Sequence, residues 1–114
     1  MTDCIFCKIA NKEIGKLIYE DEQVVAFDDM DPKAPVHVLI IPRKHIARIS
    51  DVADGDDASL TGHMLVVANK IAVERGIEDD GYRVVVNCNE GSGQSVWHIH
   101  FHLLGGRRLN WPPG

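Results

Sequence analysis

The chain has 114 residues, of which 45% are hydrophobic and 25% are charged, and its formal net charge is −5. A chain of this length buries roughly 65% of its unfolded surface, which argues against a disordered chain and predicts one domain over residues 1–114. The acidic balance counts against a general nucleic-acid binder, which needs a basic stripe.

Targeting features are the next constraint. The N-terminal segment MTDCIFCKIANKE has no basic region followed by an apolar run, so it does not predict a signal peptide. No apolar segment approaches the ~20 residues of a membrane helix, and we expect no membrane partner. Three cysteines, an odd number, argue against a disulfide framework. A cytoplasmic location is therefore expected.

The hydrophobic pattern predicts an α+β fold. The expected elements are a short helix over 4–11, strands over 17–20, 23–27 and 36–42, a long helix over 57–75, and strands over 82–87 and 95–104. The third strand, VHVLIIP, is almost wholly apolar, which is typical of a strand buried on both faces. Because the long helix lies between runs of strands, we expect a mostly antiparallel sheet packed against it.

The last predicted strand carries three histidines at alternate positions, His98, His100 and His102. Strand side chains alternate between faces, so the three imidazoles share one face of the sheet. The opposite face then carries the core-type side chains Trp97, Ile99, Phe101 and Leu103. At ~3.3 Å per residue the first and third histidines are about 13 Å apart at the backbone, which favours a chain of polar contacts over one tight metal shell.

The loop before the triad, NEGSGQS, suits an oxyanion. Its two glycines allow close approach of the backbone, and Gln94 and Ser95 offer side-chain hydrogen bonds. A neutral imidazole can act as nucleophile, base or acid at pH 7, and a histidine nucleophile is most useful at phosphorus. Loop and triad together predict phosphoryl or nucleotidyl transfer.

The segment HIHFHLL is similar to the signature of the histidine-triad (HIT) family, in which three alternate histidines precede two apolar residues. The resemblance continues through CIFCKI, AFDDMDPKAPVHVLIIPRKHI, DGYRVVVN and GQSVWHIHFHLLGGRRLNWPPG, almost the whole chain. The short length, the GGR segment and the terminal WPPG resemble the Hint branch of purine nucleoside phosphoramidases. The resemblance implies a HIT-like fold, a purine nucleotide substrate and a homodimer, with no cofactor required for catalysis.

The resemblance also implies catalytic roles. His100 is the expected nucleophile, which attacks the α-phosphorus and becomes nucleotidylated. His102 is expected to help proton transfer at the leaving group, and His98 to orient the site. His37 belongs to the same polar network, and Ser95 matches a phosphate-loop position.

Substrate-binding residues follow from the same resemblance. Gly93 matches a second phosphate-loop position, and Asn87 matches a polar residue near the phosphate. Asp29 matches the acid that binds the ribose hydroxyls. The residues expected to form the apolar slot around the purine are Ile5, Phe6, Ile9, Phe27 and Met30.

Two interpretations stay open for the pair Cys4 and Cys7. They are either small apolar residues on a helix or half of a tetrahedral zinc shell. Candidates for the other two ligands are His45 and His98, and some HIT relatives with this CxxC bind zinc with such a set. Many Hint relatives lack the cysteines, so this zinc would be structural.

Other functions also stay open. A dinucleotide polyphosphate hydrolase of another HIT branch is the nearest alternative, although Trp97 and the WPPG tail count against it. A non-catalytic nucleotide-binding scaffold protein is a second. A catalytic metal held by the triad is a third.

Overall fold

The computed structural model describes residues 3–114 and has the predicted α+β architecture. Its elements are α1 (Ile5–Ala10), β1 (Tyr19–Glu20), β2 (Val24–Asp28), β3 (Val36–Pro42), α2 (Asp56–Glu74), β4 (Tyr82–Val86) and β5 (Phe101–Gly105). Two short 3-10 turns, Ile49–Asp51 and Glu90–Ser92, lie in the connections. Among the described residues, no helix combines the length and apolar character needed to cross a membrane.

The five strands form one antiparallel sheet in the order β1-β2-β3-β5-β4. The predicted central strand is confirmed, because β3 pairs with β2 on one side and with β5 on the other. The strand that carries the end of the triad, β5, is also internal, since β4 pairs with its second edge. The end of the histidine segment, from Phe101 onward, thus lies in the middle of the sheet, where its backbone is held on both sides.

Each face of the sheet is covered by one helix. The larger layer lies under α2, and its buried residues include Val38, Ile40, Met64, Val67, Ile71, Ile99, Phe101 and Leu103. The smaller layer lies under α1, and its buried residues are Phe6, Ala10, Val25, Phe27, Leu39 and Ile41. Because α1 has only six residues, it covers part of its face and leaves room beside it for a site.

The predicted strand over 95–104 is shorter in the structure. Pairing with β3 begins at Phe101, opposite Ile40, and the preceding residues bond elsewhere, with the Ile99 N–H donating to the Ile46 carbonyl at 2.7 Å. Alternation survives, since Ile99 and Phe101 are buried under α2. Trp97 was wrongly expected in that layer: its side chain is 45% exposed, because the chain leaves the sheet before reaching it.

Glycine occupies the two positions after the triad, 105 and 106, for different structural reasons. A Cβ at Gly105 would lie 2.6 Å from Cδ1 and 3.2 Å from Cβ of Ile77, so any larger residue would force Ile77, in the loop after α2, to shift away from the end of β5. Gly106 has a φ of +88°, in the left-handed region that glycine tolerates. The GG pair therefore ends β5 for steric and conformational reasons.

Candidate active site

The three histidines lie on the face of the sheet that α1 partly covers. His98 is fully buried and His100 is 8% exposed, whereas His102, on β5, is half-buried. The Phe6 ring of α1 stands edge-on to His100, with ring centroids 5.1 Å apart, and contacts the edge of His98 at 6.1 Å. The short N-terminal helix therefore holds the first two imidazoles in place.

A backbone contact assigns the proton of His100. Its Nδ1 lies 2.9 Å from the carbonyl oxygen of His98, and a carbonyl only accepts, so Nδ1 carries the hydrogen. The lone pair of the neutral ring is then on Nε2, which has no hydrogen-bond partner among residues 3–114. This arrangement presents Nε2 as a nucleophile.

A second chain of contacts assigns the proton of His102. The Lys33 N–H donates to Nδ1 of His37 at 3.0 Å, so the proton of His37 is on Nε2. That Nε2–H donates to Nδ1 of His102 at 2.9 Å, which leaves the His102 proton on its own Nε2. The carboxylate of Asp29 lies 3.5 Å from His37 Nε2. The chain therefore ends in an N–H donor beside His100, whose ring centroid is 5.0 Å from that of His102.

Burial favours the neutral form of two of these rings, His102 and His37. It lowers the pKa of His102 to about 4, helped by the neighbouring His100 and His37 and opposed by Asp29. Burial also lowers the pKa of His37, although Asp29 acts in the opposite direction. At pH 7 both imidazoles are uncharged, so the donor and acceptor pattern described above is the one that meets a substrate.

The loop before the triad is held by Gln94. The side chain is 5% exposed; its Oε1 accepts from the Asn89 N–H at 2.8 Å, and its Nε2 donates to the carbonyls of Ala47 at 2.8 Å and Val96 at 3.1 Å. Gln94 therefore points into the protein, and the expectation that it offers a hydrogen bond to an oxyanion was wrong. Ser95, next in the chain, is exposed and free to do so.

The other predicted phosphate residues flank this loop. Gly93 ends the turn Glu90–Ser92 with a φ of +99°, which requires glycine. Asn87 follows the last residue of β4, Val86, which pairs with Phe101. In that register Asn87 comes level with His100, at the end of the sheet where the loop also lies.

Comparisons with known proteins agree with this geometry. The HIT domain family model matches residues 11–109. The chain belongs to the HIT family. A HIT family hydrolase from Legionella pneumophila is 53% identical, with a TM-score of 0.95, over 98% of this chain and all of that one. A histidine triad protein from Clostridium difficile is 46% identical, with a TM-score of 0.92 and 96% of each chain covered. An uncharacterized HIT-like protein of Synechococcus elongatus is 46% identical over 98% of this chain and 97% of its own.

The structure assembles only part of the apolar slot predicted around the purine. Phe6 and Phe27 meet edge to face at 5.5 Å, and Ile9 packs against the same cluster. Ile5 is half exposed on the outer side of α1, and Met30 is fully exposed. The structure therefore brings together three of the five residues expected around a purine.

The predicted metal ligands converge, although the HIT match begins after both cysteines. One ligand atom from each of Cys4, Cys7, His45 and His98 lies within 4.8 Å of the other three. Nδ1 of His98 is 3.5 and 3.6 Å from the two sulfurs and 3.2 Å from Nδ1 of His45, which is 3.3 Å from the Cys7 sulfur. Tetrahedral zinc with bonds of ~2.0 Å to nitrogen and ~2.3 Å to sulfur needs ligand separations of about 3.3–3.8 Å.

The protonation of this cluster also fits a cation. The Nε2–H of His98 donates to the Pro42 carbonyl at 2.8 Å, so its Nδ1 lone pair faces the sulfurs. Burial lowers the pKa of His98 to about 4, with the Pro42 hydrogen bond opposing the shift. Burial, together with the neighbouring Cys4, raises the pKa of the Cys7 thiol. Thiolates at this position therefore need a positive charge, and the donor set fits zinc.

Several groups that define the site were not predicted. The proton positions depend on the Lys33 N–H and on the carbonyls of Pro42 and His98, which are backbone atoms without any side-chain signal. The clamp formed by Gln94 could be suspected only from a polar residue inside a glycine loop, and its direction needed the fold.

Proposed function

We propose that this HIT-family protein hydrolyses the P–N bond of purine nucleoside 5′-phosphoramidates through a nucleotidyl intermediate on His100. The observation that carries the proposal is the fixed proton on His100 Nδ1, which leaves Nε2 as a nucleophile beside the N–H donor of His102. The similarity to a HIT family hydrolase supports the reaction class.

The proposed cycle has two steps. His100 Nε2 attacks the α-phosphorus, and the P–N bond breaks as His102 Nε2 gives its proton to the departing amine. Because His102 Nδ1 already accepts from His37, this transfer balances only when the His37–His102 pair has first taken up one proton from solvent; the negative phosphoramidate favours that uptake against the low pKa that burial imposes. Water then attacks the phosphorus, His102 takes a proton from it, and His100 leaves. The products are a nucleoside monophosphate and a free amine.

The remaining groups are proposed to hold the nucleotide. Ser95 and the backbone at Gly93 bind the phosphate, with Asn87 beside it. The Asp29 carboxylate, which already accepts from the Asp31 N–H at 2.8 Å, binds the ribose hydroxyls with its remaining lone pairs. The purine lies against the edge of the apolar cluster that contains Phe6, Ile9 and Phe27, with Ile5 and Met30 as expected outer contacts.

Hydrolysis of adenosine 5′-phosphoramidate tests the proposal. Wild type should release AMP, and mass spectrometry of quenched reactions should find an adenylylated His100. His100→Ala should lose turnover by at least about a thousandfold, since nucleophile and intermediate both vanish. The control is His63→Ala, which removes a histidine of α2 that is hydrogen-bonded to Asp21. Undiminished turnover by His100→Ala refutes the mechanism.

The same assay separates the alternatives. A diadenosine polyphosphate turned over much faster than the phosphoramidate would assign the chain to another HIT branch. Nucleotide binding without turnover of either substrate would leave a binding or scaffold protein. Activity that survives exhaustive chelation would exclude a catalytic metal at the triad, where Asp29, His37 and His102 also lie within 4.8 Å of one another.

We further propose that Cys4, Cys7, His45 and His98 hold one structural zinc ion. The zinc would join α1 to the segment that leads into the triad, and it would take no part in catalysis. Elemental analysis of purified protein should find about one zinc per chain, and Cys4→Ser with Cys7→Ser should remove it. Metal content that is equal in wild type and the double variant would refute the site.

The expected homodimer is proposed to form on β4 and the outer face of α2. Within residues 3–114 no strand pairs with the outer edge of β4, and Leu65, Val66 and Val73 are exposed on α2. Asn69, on the same face, accepts from the Tyr82 hydroxyl at 2.7 Å, so helix face and edge strand form one surface. Light scattering should find a dimer that Val66→Lys dissociates. Ile14→Lys, at an exposed apolar residue outside this surface, is the matched control.

A further inference from the structure

The cluster of Cys4, Cys7, His45 and His98 adjoins a surface cavity at the N-terminal end of α1. The cavity has a volume of about 470 Å³, which is ample for a small molecule. Cys4 and His45 line it, whereas within residues 3–114 Cys7 and His98 are not part of its wall. A molecule that enters the cavity from solvent therefore meets Cys4 before the other cysteine.

The two cysteines are placed to form a disulfide with each other. They are three positions apart at the start of α1, and their sulfurs lie within 4.8 Å of each other. The Cys7 N–H donates to the Cys4 sulfur at 3.3 Å, and this hydrogen bond favours the thiolate, which is the reactive form of a cysteine. Cys4 is therefore the expected nucleophile, and Cys7 is the neighbour that resolves its oxidised product.

We propose that Cys4 and Cys7 form an oxidative modification site, at which a neutral peroxide converts the zinc-binding dithiol into a disulfide. The inference rests on the proposed zinc site and not on the identity of the substrate. The cavity favours a neutral oxidant, because the Asp3 carboxylate borders it and its other walls include the apolar side chains of Ile5 and Trp97. An anionic and much larger oxidant such as glutathione disulfide does not suit this entrance.

The oxidation by hydrogen peroxide takes two steps. The Cys4 thiolate attacks one peroxide oxygen, the O–O bond breaks, and Cys4 becomes a sulfenic acid as hydroxide leaves. The Cys7 thiolate then attacks the Cys4 sulfur, the S–O bond breaks, and a second hydroxide leaves as the disulfide forms. Two electrons pass from the sulfurs to the peroxide, and two protons from solvent convert the hydroxides into water. Because metal binding by cysteine needs the thiolate, the disulfide releases the zinc.

The same oxidation disturbs the catalytic histidines. The sulfurs must move together to bond, and Phe6 lies between the two cysteines in the chain. The Phe6 ring packs edge-on against His100 at 5.1 Å and against His98 at 6.1 Å. Because small displacements of a catalytic group lower turnover strongly, the oxidised protein should hydrolyse the phosphoramidate at least about tenfold more slowly.

Titration of the zinc-loaded protein with hydrogen peroxide tests the proposal. The N-terminal tryptic peptide, residues 1–8, should lose the mass of two hydrogens, and about one zinc should be released per disulfide. Dithiothreitol with added zinc should restore the reduced peptide and the activity. Cys7→Ser should stop at the sulfenic acid, so that dimedone labels Cys4, whereas Cys4→Ser should leave Cys7 unlabelled. Cys88→Ser, at a cysteine outside the cluster, is the matched control.

The outcomes are distinguishable. A peptide that stays reduced with zinc still bound overturns the proposal, as does a disulfide to Cys88 or a dimedone adduct on Cys7 in Cys4→Ser. If the protein binds no zinc, the zinc site fails and this inference fails with it. If oxidation releases zinc but the reduced wild type never hydrolyses the phosphoramidate, the proposed function fails and the modification site stands. If complete oxidation leaves the activity unchanged, the link from Phe6 to His100 is overturned.

Discussion

Replacement of the buried amide of Gln94 by a carboxylate tests how the phosphate loop is held. Gln94→Glu keeps the acceptor for the Asn89 N–H but puts an oxygen opposite the carbonyls of Ala47 and Val96. Two hydrogen bonds worth about 0.5–1.5 kcal/mol each are lost, so the free energy of unfolding should fall by about 1–3 kcal/mol. For a domain of this size that corresponds to a fall in melting temperature of roughly 4–12 °C.

Urea unfolding and steady-state kinetics measure the two consequences. The loosened loop should raise KM and lower kcat for the phosphoramidate, because Ser95 follows directly after the clamp. Burial against two carbonyls raises the pKa of the new glutamate, so the deficit relative to wild type should shrink as pH falls through that raised pKa and be smallest below the unfolded pKa of about 4.3, where the acid has regained a donor. The matched control is Gln23→Glu, at an exposed residue of the hairpin turn. A Gln94→Glu variant as stable and active as wild type would refute the clamp.

Three further predictions follow from contacts outside the loop. Burial lowers the pKa of His102 to about 4, so unfolding exposes an imidazole that binds a proton more readily. The free energy of unfolding should therefore be at its full value above pH ~6.5 and fall as pH drops towards 4. His102→Gln should reduce that fall in urea titrations. Asp21 accepts from Tyr19, His63 and two backbone N–H groups, so Asp21→Ala should cost about 2 kcal/mol in urea unfolding, whereas an unchanged midpoint would contradict this role. A chelator should lower the melting temperature of wild type but leave that of Cys4→Ser unaffected; equal shifts would contradict the proposed zinc site.

Local patterns determined most of the architecture. The strand Val36–Pro42 and the helix Asp56–Glu74 were predicted to within one residue, because the apolar run and the helical spacing are properties of short segments. Alternation also predicted which side chains of the last strand enter the core, at Ile99, Phe101 and Leu103. The residues of the histidine signature, and with them membership of the HIT family, were likewise legible in the chain itself.

The start of the last strand and the orientation of Gln94 depend on tertiary contacts, which no local sequence pattern contains. The start of β5 depends on where β3 ends, so the strand predicted from residue 95 begins at Phe101 and Trp97 stays outside the core. Gln94 turns inward because three backbone groups, from Ala47, Asn89 and Val96, need partners there.

The positions of the imidazole protons also depend on the fold and not on the sequence pattern. The sequence contains the histidines, but the Lys33 N–H and the His98 carbonyl decide which nitrogen of His37 and of His100 carries hydrogen. Likewise, resemblance suggested the four metal-ligand candidates, whereas the folded chain brings Cys4 to within 3.5 Å of His98 across 94 positions of sequence. Periodicity and residue type act over a few neighbouring residues, while tautomers and ligand distances depend on atoms that meet only when the sheet and its two helices are assembled.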